Sequence, residues 1–373
     1  MKASGFVPTI ISPEATPQVK QIADKEGAAL VIVKMKRDIS PWHDLVGTLR
    51  LTHQLWKLKP EIVVTIGPKA GLLGGVAARI VGVPCRIQTK WGIRLETARG
   101  LLRLVLTVAD KIAASCAQIV LCDSESGRAR TIELGLSSPQ KVKVIASGSS
   151  KGIDLAQFVR DSATMEAAIR LRSEINLPVG APIIGFVGRL NRDKGLKELS
   201  RAWSIIHTRR PDSILLVAGP SECESPYEIR QLEELQRAPG VKIIGERKNI
   251  LPVYAVIDVL LMPTHREGFP NVVLEASAFS IPTTGFKVTG MHDAVIDGVT
   301  GGLVDFDDTE GLAQKTLGYL NDATLRKKHG ENARARVIQF FQPVTLWQGY
   351  FETFKGLAEA NDLPTHHLKW YLN

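Results

Sequence analysis

The chain has 373 residues, 44% of them hydrophobic and 23% charged, which suffices for two ordinary domains and excludes both a disulfide-stapled miniprotein and a disordered chain. Its net charge of +9 is one-sided: residues 1–150 hold 21 basic and 11 acidic side chains, a net of +10, whereas residues 151–373 hold 26 and 27, a net of −1. Such a split fits one half facing an anionic surface (membrane, lipid phosphate or nucleic acid) and another half with a separate task.

The opening Met1-Lys2-Ala3-Ser4-Gly5-Phe6 lacks the apolar core of a secretory signal, so the chain is expected to stay in the cytoplasm. What reads as the end of a helix then precedes a strand at 8–12. Further strands are expected at 29–33, 61–66, 85–89, 119–122 and 142–146, with helices such as 44–57 and 72–81 between them. The theme repeats at 183–187, 214–218, 241–244, 256–262 and 282–285. Short apolar runs alternating with helix-length periodic stretches are the pattern of parallel sheets wrapped by helices. Two doubly wound domains follow, 1–165 and 166–342. A tail, 343–373, carries Trp347, Tyr350, Phe351, Phe354 and Leu357 at the spacing of a terminal helix docked on the rest. A doubly wound domain ordinarily opens with a central strand and a glycine-rich turn; neither is found ahead of residue 8, so either the true start lies upstream or the first sheet is rearranged around a gap.

No run approaches the roughly 20 apolar residues of a membrane-spanning helix; the longest, such as 256–263, is strand-length and broken by Asp258. Cys85, Cys116, Cys122 and Cys223 show no C-x-x-C or zinc-like spacing and read as reduced, mostly buried thiols. His43, His53 and His265 show no metal spacing either.

Three segments carry chemistry, each after a strand and before a helix. In Gly188-Arg189-Leu190-Asn191-Arg192-Asp193-Lys194-Gly195, Gly188 permits close backbone approach, while Arg189 and Lys194 can grip a diphosphate as a fork and as a point charge. In Arg266-Glu267-Gly268-Phe269-Pro270-Asn271-Val272-Val273-Leu274-Glu275, Pro270 suits a first helical turn whose free amides face the strand's carboxyl end. Glu275, flanked by apolar residues, would lie near the buried side, where a sugar diol could supply donors. The third segment is Lys287-Val288-Thr289-Gly290-Met291-His292-Asp293. Singly, each could be a solvated loop with surface partners. Together, three such junctions on one sheet edge describe a nucleotide-sugar cleft.

In order and spacing, Gly188-Arg189-Leu190 with Lys194-Gly195, the nine residues 267–275 that place two Glu with seven between them, and Asp297-Gly298-Val299-Thr300-Gly301-Gly302 resemble the retaining glycosyltransferases of family 4 with the GT-B fold. Segments 39–41, 68–74, 92–100 and 147–154 are similar to members that build capsule, O-antigen and other exopolysaccharide repeats on a polyprenyl phosphate carrier. The resemblance implies an α/β molecule of two Rossmann-like domains around a cleft, with a C-terminal helix returning to the first domain.

It implies catalytic roles for Glu267, Arg189 and Lys194. The two cations would neutralise the leaving diphosphate, and Glu267 would hold donor-sugar hydroxyls near the reacting carbon. Glu275 would hold the ribose, with Gly188, Gly268, Phe269, Asn271, Thr289 and Gly290 completing the donor side. No metal or other cofactor is required. The donor would be a nucleotide sugar, read as UDP-linked, and the acceptor a polyprenyl-diphosphate-linked or other glycolipid saccharide. The alternatives are a same-fold transferase acting on another glycolipid or a soluble acceptor, and a non-catalytic nucleotide-sugar-binding subunit.

On the acceptor side stand Lys69, Trp91 and Arg94. Trp91 occupies a position where members commonly carry His, and an indole can stack on a sugar but cannot accept a hydrogen bond. Lys34, Lys36 and Arg37, and the series Lys90, Arg94, Arg99, Arg103 and Lys111 interleaved with Leu101, Leu102, Leu104, Val105 and Leu106, could present a basic amphipathic surface to an anionic membrane. An ordinary helix packed by its leucines is the competing reading. The expected location is thus cytoplasmic and peripheral, on the inner face of the cell membrane. A nucleic-acid partner is not expected, because the basic half lacks aromatic-rich recognition motifs. Arg189, Lys194, Glu267 and Glu275 should converge on one hollow between the lobes.

Overall fold

Short apolar runs become strands and the periodic stretches between them become helices in the structure, a computed structural model that describes residues 4–36 and 39–369. Arg37 of the basic run and the first three residues lie outside the described residues. The first lobe contains β1 (Thr9–Ser12), α1 (Pro17–Glu26), β2 (Ala29–Ile32), α2 (Pro41–Leu58), β3 (Ile62–Ile66), α3 (Pro68–Val81), β4 (Cys85–Lys90), α4 (Gly100–Cys116), β5 (Ile119–Cys122), α5 (Glu125–Glu133) and β6 (Val142–Val144). β3, β4, β5 and β6 form a parallel sheet in that order, while β1 and β2 pair separately. Among the described residues no ladder joins the two sheets.

The second lobe contains α6 (Ser162–Glu174), β7 (Ile183–Val187), α7 (Leu196–Arg209), β8 (Ile214–Ala218), α8 (Pro226–Arg237), β9 (Val241–Ile243), α9 (Leu251–Val256), β10 (Val259–Met262), α10 (Asn271–Ala278), β11 (Thr283–Phe286), α11 (Met291–Ala294), β12 (Gly301–Val304), α12 (Thr309–Asn321) and α13 (Ala323–Phe340). Its six strands are parallel in the order β12-β11-β10-β7-β8-β9, the doubly wound arrangement with helices on both faces. Alternate side chains of each strand feed two cores, as a period of two requires. Ile183, Leu216, Leu260 and Met262 pack with Tyr254 and Phe279 on one face, and Ile184, Phe186, Leu215 and Leu261 with Trp203 on the other.

Two sequence expectations are corrected. The strand expected over 256–262 begins at Val259, because Leu251–Val256 is helical with Pro252 in its first turn. An apolar run of this length reads as either element, and proline at a helix start tips it. The domain boundary at 165/166 would cut through α6, whose Ala168 and Leu171 pack with Ile183 and Val253, so the whole helix belongs to the second lobe.

The tail forms α14 (Pro343–Glu359) and returns to the first lobe. Leu346 and Phe354 pack on Ile87, Ile119, Leu121 and Ile145, and Phe6 meets the rings of Phe351 and Phe354 edge-on at 6.0 and 6.4 Å. The opposite face of the first sheet carries the helical layer in which α3 packs against both α2 and α4. The chain therefore passes between the lobes twice, and the two passages touch: the Ile153 amide donates to the Phe341 carbonyl at 2.8 Å. Gly152, at φ +67°, allows this, since a side chain there would strike that carbonyl. All four cysteines are free, and among the described residues no helix is long and apolar enough to cross a membrane.

Phe354 is buried against the first-lobe sheet, so Phe354→Ala is expected to destabilise the protein by about 3–5 kcal/mol. Urea denaturation checks this; an unchanged midpoint would mean that α14 is not part of the first lobe's core.

Candidate active site

In the second sheet the strand order reverses between β7 and β10, so the loops leaving their carboxyl ends diverge and open a crevice. The loop after β7 carries Gly188 to Gly195. Its Asn191 side chain accepts from the Lys194 amide at 3.1 Å, which fixes the turn that aims Lys194 inward. Gly195 takes φ +76° and lies so close to the Pro263 carbonyl that any side chain would collide with it. This approach brings the two loops into contact.

The contact is polar. Lys194 Nζ lies 2.5 Å from Glu267 Oε1, and both side chains are largely shielded, at 18% and 11% exposure. Thr264 Oγ1 donates to the same carboxylate oxygen at 3.0 Å, and Arg266 pairs with Asp193 across the loops. The Glu267 amide donates to the Thr289 carbonyl at 3.2 Å, tying in the third junction. α10 starts at Asn271 without a side-chain cap or an acidic residue in its first turn, so its N-terminal amides retain their anion preference.

The four side chains expected to converge do so only in part. Lys194 and Glu267 touch. Glu275 is held instead by the Tyr254 hydroxyl at 2.8 Å and by Lys151 at 3.5 Å. Burial, reinforced by Glu275, pushes Tyr254 well above the usual tyrosine range, so it stays a neutral donor. Arg189 turns to Glu222 at 2.8 Å, with Asn191 bonding the same oxygen at 3.2 Å.

Several expected donor-side residues instead join the lobes. Thr289 Oγ1 donates to Glu96 Oε1 at 2.7 Å, the Gly290 amide donates to Ser126 Oγ at 2.8 Å, and Ser149 Oγ donates to Asn271 Oδ1 at 3.1 Å. Phe269 is buried against Phe341, ring centroids 5.2 Å apart, while Gly268 packs against the Trp91–Gly92 backbone. On the acceptor side Trp91 is about half exposed, Arg94 is exposed, and Lys69 pairs with Asp44 at 2.6 Å. A hollow of about 390 Å³ does lie between the lobes, lined by Glu96, Arg130, His265, Lys287, Thr289 and His292 among others; of the expected donor residues only Thr289 reaches it.

Sequence reasoning missed the reciprocal contact from the second lobe. The Asp293 carboxylate accepts from the Glu125 amide at 2.8 Å and the Ser126 amide at 3.2 Å, filling the positive N-terminus of α5 from across the cleft. Asp123-Ser124-Glu125-Ser126 was a legible signal, a strand end followed by a capping serine, but its partner lies about 168 residues away.

Comparison with known proteins decides the family. The model for glycosyl transferases group 1 matches residues 168–336, and that for a glycosyl transferase 4-like domain matches residues 1–148. The chain is 35% identical over 344 residues to the capsular polysaccharide biosynthesis glycosyltransferase CapM of Staphylococcus aureus, covering 91% of this chain and 89% of that one. It belongs to the group 1 glycosyltransferases.

A second relative, the UDP-Gal:alpha-D-GlcNAc-diphosphoundecaprenol alpha-1,3-galactosyltransferase of Escherichia coli, is 25% identical, with 90% of this chain and 85% of that one covered. Among solved structures, a glycosyltransferase from Rickettsia africae ESF-5 superposes with a TM-score of 0.78 at 21% identity, covering 96% of this chain and 92% of that one. Anabaena Alr3699/HepE in complex with UDP-glucose superposes at 0.75 and 19%, covering 92% and 90%. Likeness at this identity shows the fold, which is GT-B.

Within this glycosyltransferase the Asp123 carboxyl is a further residue of interest. It is buried at the cleft against Gly268, and its Oδ1 has no hydrogen-bond partner. Burial pushes it up to about 7, with the carboxylates of Glu267 and Asp293 adding to the effect. An acid that keeps its proton when folded stabilises the fold fully below its unfolded value of about 3.9, and that contribution fades as pH rises through the folded value. Asp123→Asn keeps the neutral form, so its melting temperature should match the parent's below about pH 4, pull ahead of it between about pH 4 and 7, and hold a constant excess above about pH 8. Parallel melting curves across pH would show that Asp123 does not bind this proton.

Proposed function

We propose that this glycosyltransferase moves a hexose or N-acetylhexosamine from a UDP-sugar to a saccharide on a polyprenyl diphosphate carrier in capsule or related surface-polysaccharide synthesis. It acts with retention and without a metal, at the cytoplasmic face of the cell membrane. The observation that carries the reading is the shielded Lys194–Glu267 pair at the switch point, beside the uncapped start of α10. Support comes from the two relatives: the S. aureus protein is named for capsular polysaccharide synthesis, and the E. coli protein for UDP-Gal and a diphosphoundecaprenol-linked GlcNAc.

The chemistry follows from charge. Breaking the sugar–phosphate bond builds negative charge on the UDP oxygens and positive character on the sugar ring. Lys194 and the α10 amides face the diphosphate, and preorganised donors at developing charge supply much of an enzyme's rate gain. Arg189 joins them by exchanging Glu222 for phosphate. The exposed Arg189–Glu222 pair is worth at most about 1 kcal/mol, so a doubly charged diphosphate outcompetes it. Glu267 accepts from donor-sugar hydroxyls, and Glu275, oriented by Tyr254, accepts from the ribose. The acceptor hydroxyl attacks on the face the leaving group vacates, which preserves configuration.

Transfer from a panel of UDP-sugars to a synthetic polyprenyl-diphosphate-linked GlcNAc tests the reading. Glu267→Gln should lower kcat by about 100-fold or more. Glu222→Gln should lower KM for the donor by up to about fivefold by releasing Arg189. Full turnover by a Lys194→Ala/Glu267→Gln double variant would remove the proposed site.

A further inference from the structure

Two helices of the first lobe are apolar on the side that, among the described residues, no element covers. On α2, Trp42, Leu45, Leu49 and Trp56 are each more than half exposed, and steps of three, four and seven residues set them in one stripe. That stripe lies opposite the buried Gly47, Leu51 and Leu55, which face the lobe. On α4, Leu101, Leu104, Val105, Val108 and Ile112 are 41–75% exposed and again share a stripe; Ala113 and Ala114 are buried. α3 packs against both helices and holds them in one layer. Single exposed apolar residues need no explanation, but two parallel stripes ending in tryptophan and leucine do.

The charges beside the stripes say what covers them. Arg50 and Lys57 on α2, and Arg103 and Lys111 on α4, are exposed, as are Arg94 and Arg99 just before α4. Each helix has one acid, and each acid is already spent within the lobe: Asp44 pairs with Lys69 at 2.6 Å and Asp110 with Lys90 at 3.1 Å. The cations thus have no counter-charge on their own helices. An apolar stripe flanked by uncompensated Lys and Arg, with tryptophans at both ends of one helix, matches an anionic bilayer, in which indoles sit at headgroup level and basic side chains meet lipid phosphate.

We propose that α2 and α4 form a single docking face for an anionic lipid bilayer, a two-helix platform in which Trp42 and Trp56 complete the apolar surface that α4 begins. The inference deepens the lipid-linked-acceptor reading above by naming the surface that brings the enzyme to its substrate. Glu96 lines the hollow between the lobes, and Leu101 lies five steps further along the chain. At most about 3.5 Å per residue puts the rim of the hollow within roughly 18 Å of the docking face.

Flotation of the full chain with vesicles tests the proposal without turnover. The chain should float with phosphatidylglycerol-containing vesicles and not with pure phosphatidylcholine, lose binding as salt rises, and show a blue-shifted tryptophan emission when bound. Trp42→Ser/Trp56→Ser and Leu101→Ser/Leu104→Ser should each reduce vesicle partitioning by about tenfold or more. Both should keep the parent melting temperature and its stabilisation by UDP, because the changed side chains are exposed and lie outside the crevice. No flotation, or undiminished binding of both variants, overturns the proposal. So does a concentration-dependent dimer that the same substitutions dissolve, because the stripes would then cover each other. Transfer to a short-chain soluble acceptor analogue separates the two readings: flotation without transfer fails the proposed activity alone, and transfer without flotation fails the platform alone.

Discussion

The contact between Lys194 and Glu267 is the interaction on which the rest of the site depends. The loops after β7 and β10 leave a reversing sheet in different directions and would splay apart if left to themselves. They are drawn together by a shielded ion pair, a hydroxyl from Thr264 and a second pair between Arg266 and Asp193. Gly195 makes the approach sterically possible. The result is a crevice mouth with a cation on one loop, a carboxylate on the other and helix amides without a side-chain cap beside them. A shielded pair that loses one member leaves an unmatched charge, so the architecture and the chemistry of the mouth cannot be altered separately.

The lobes meet through polar groups. Asp293 reaches the start of α5, Glu96 accepts from Thr289, and Asn271 accepts from Ser149. Each of these bonds has a near-equivalent in water, so the interface can open at little cost, as interdomain contacts of this composition generally do. Asp123 is the exception, a carboxyl confined at the same boundary near two other acids. Burial at this boundary therefore makes its carboxyl hold a proton more tightly than water would.

Much of this was readable in the residues. β5, β7 and β8 span the same residues as the runs expected at 119–122, 183–187 and 214–218, because fully buried parallel strands leave uninterrupted apolar runs bounded by turn residues. The three strand-to-helix junctions were legible for the same reason. The strand β12 was seen only as a glycine-containing motif, since two of its four residues are glycine and carry no strand signal. The run at 256–262 misled because apolar periodicity does not separate a short buried helix from a strand. Side-chain partners were the least legible. Glu222, Tyr254 and Asp293 reach Arg189, Glu275 and α5 across 33, 21 and 168 residues, and only the folded chain brings such distant positions together.

The paired passages between the lobes carry a mechanical consequence. Residues 152–153 and 341–343 are bonded side by side, so the lobes are sewn at one locus and not at two separated ones. Two separated seams would confine rotation to the line joining them, whereas one seam leaves the axis free to tilt and acts as a pivot. Any swing then traces an arc centred there, with displacement growing along the lever arm toward the junctions farthest from the seam. A small twist of a few backbone dihedrals is in this way geared up into the gape of the crevice.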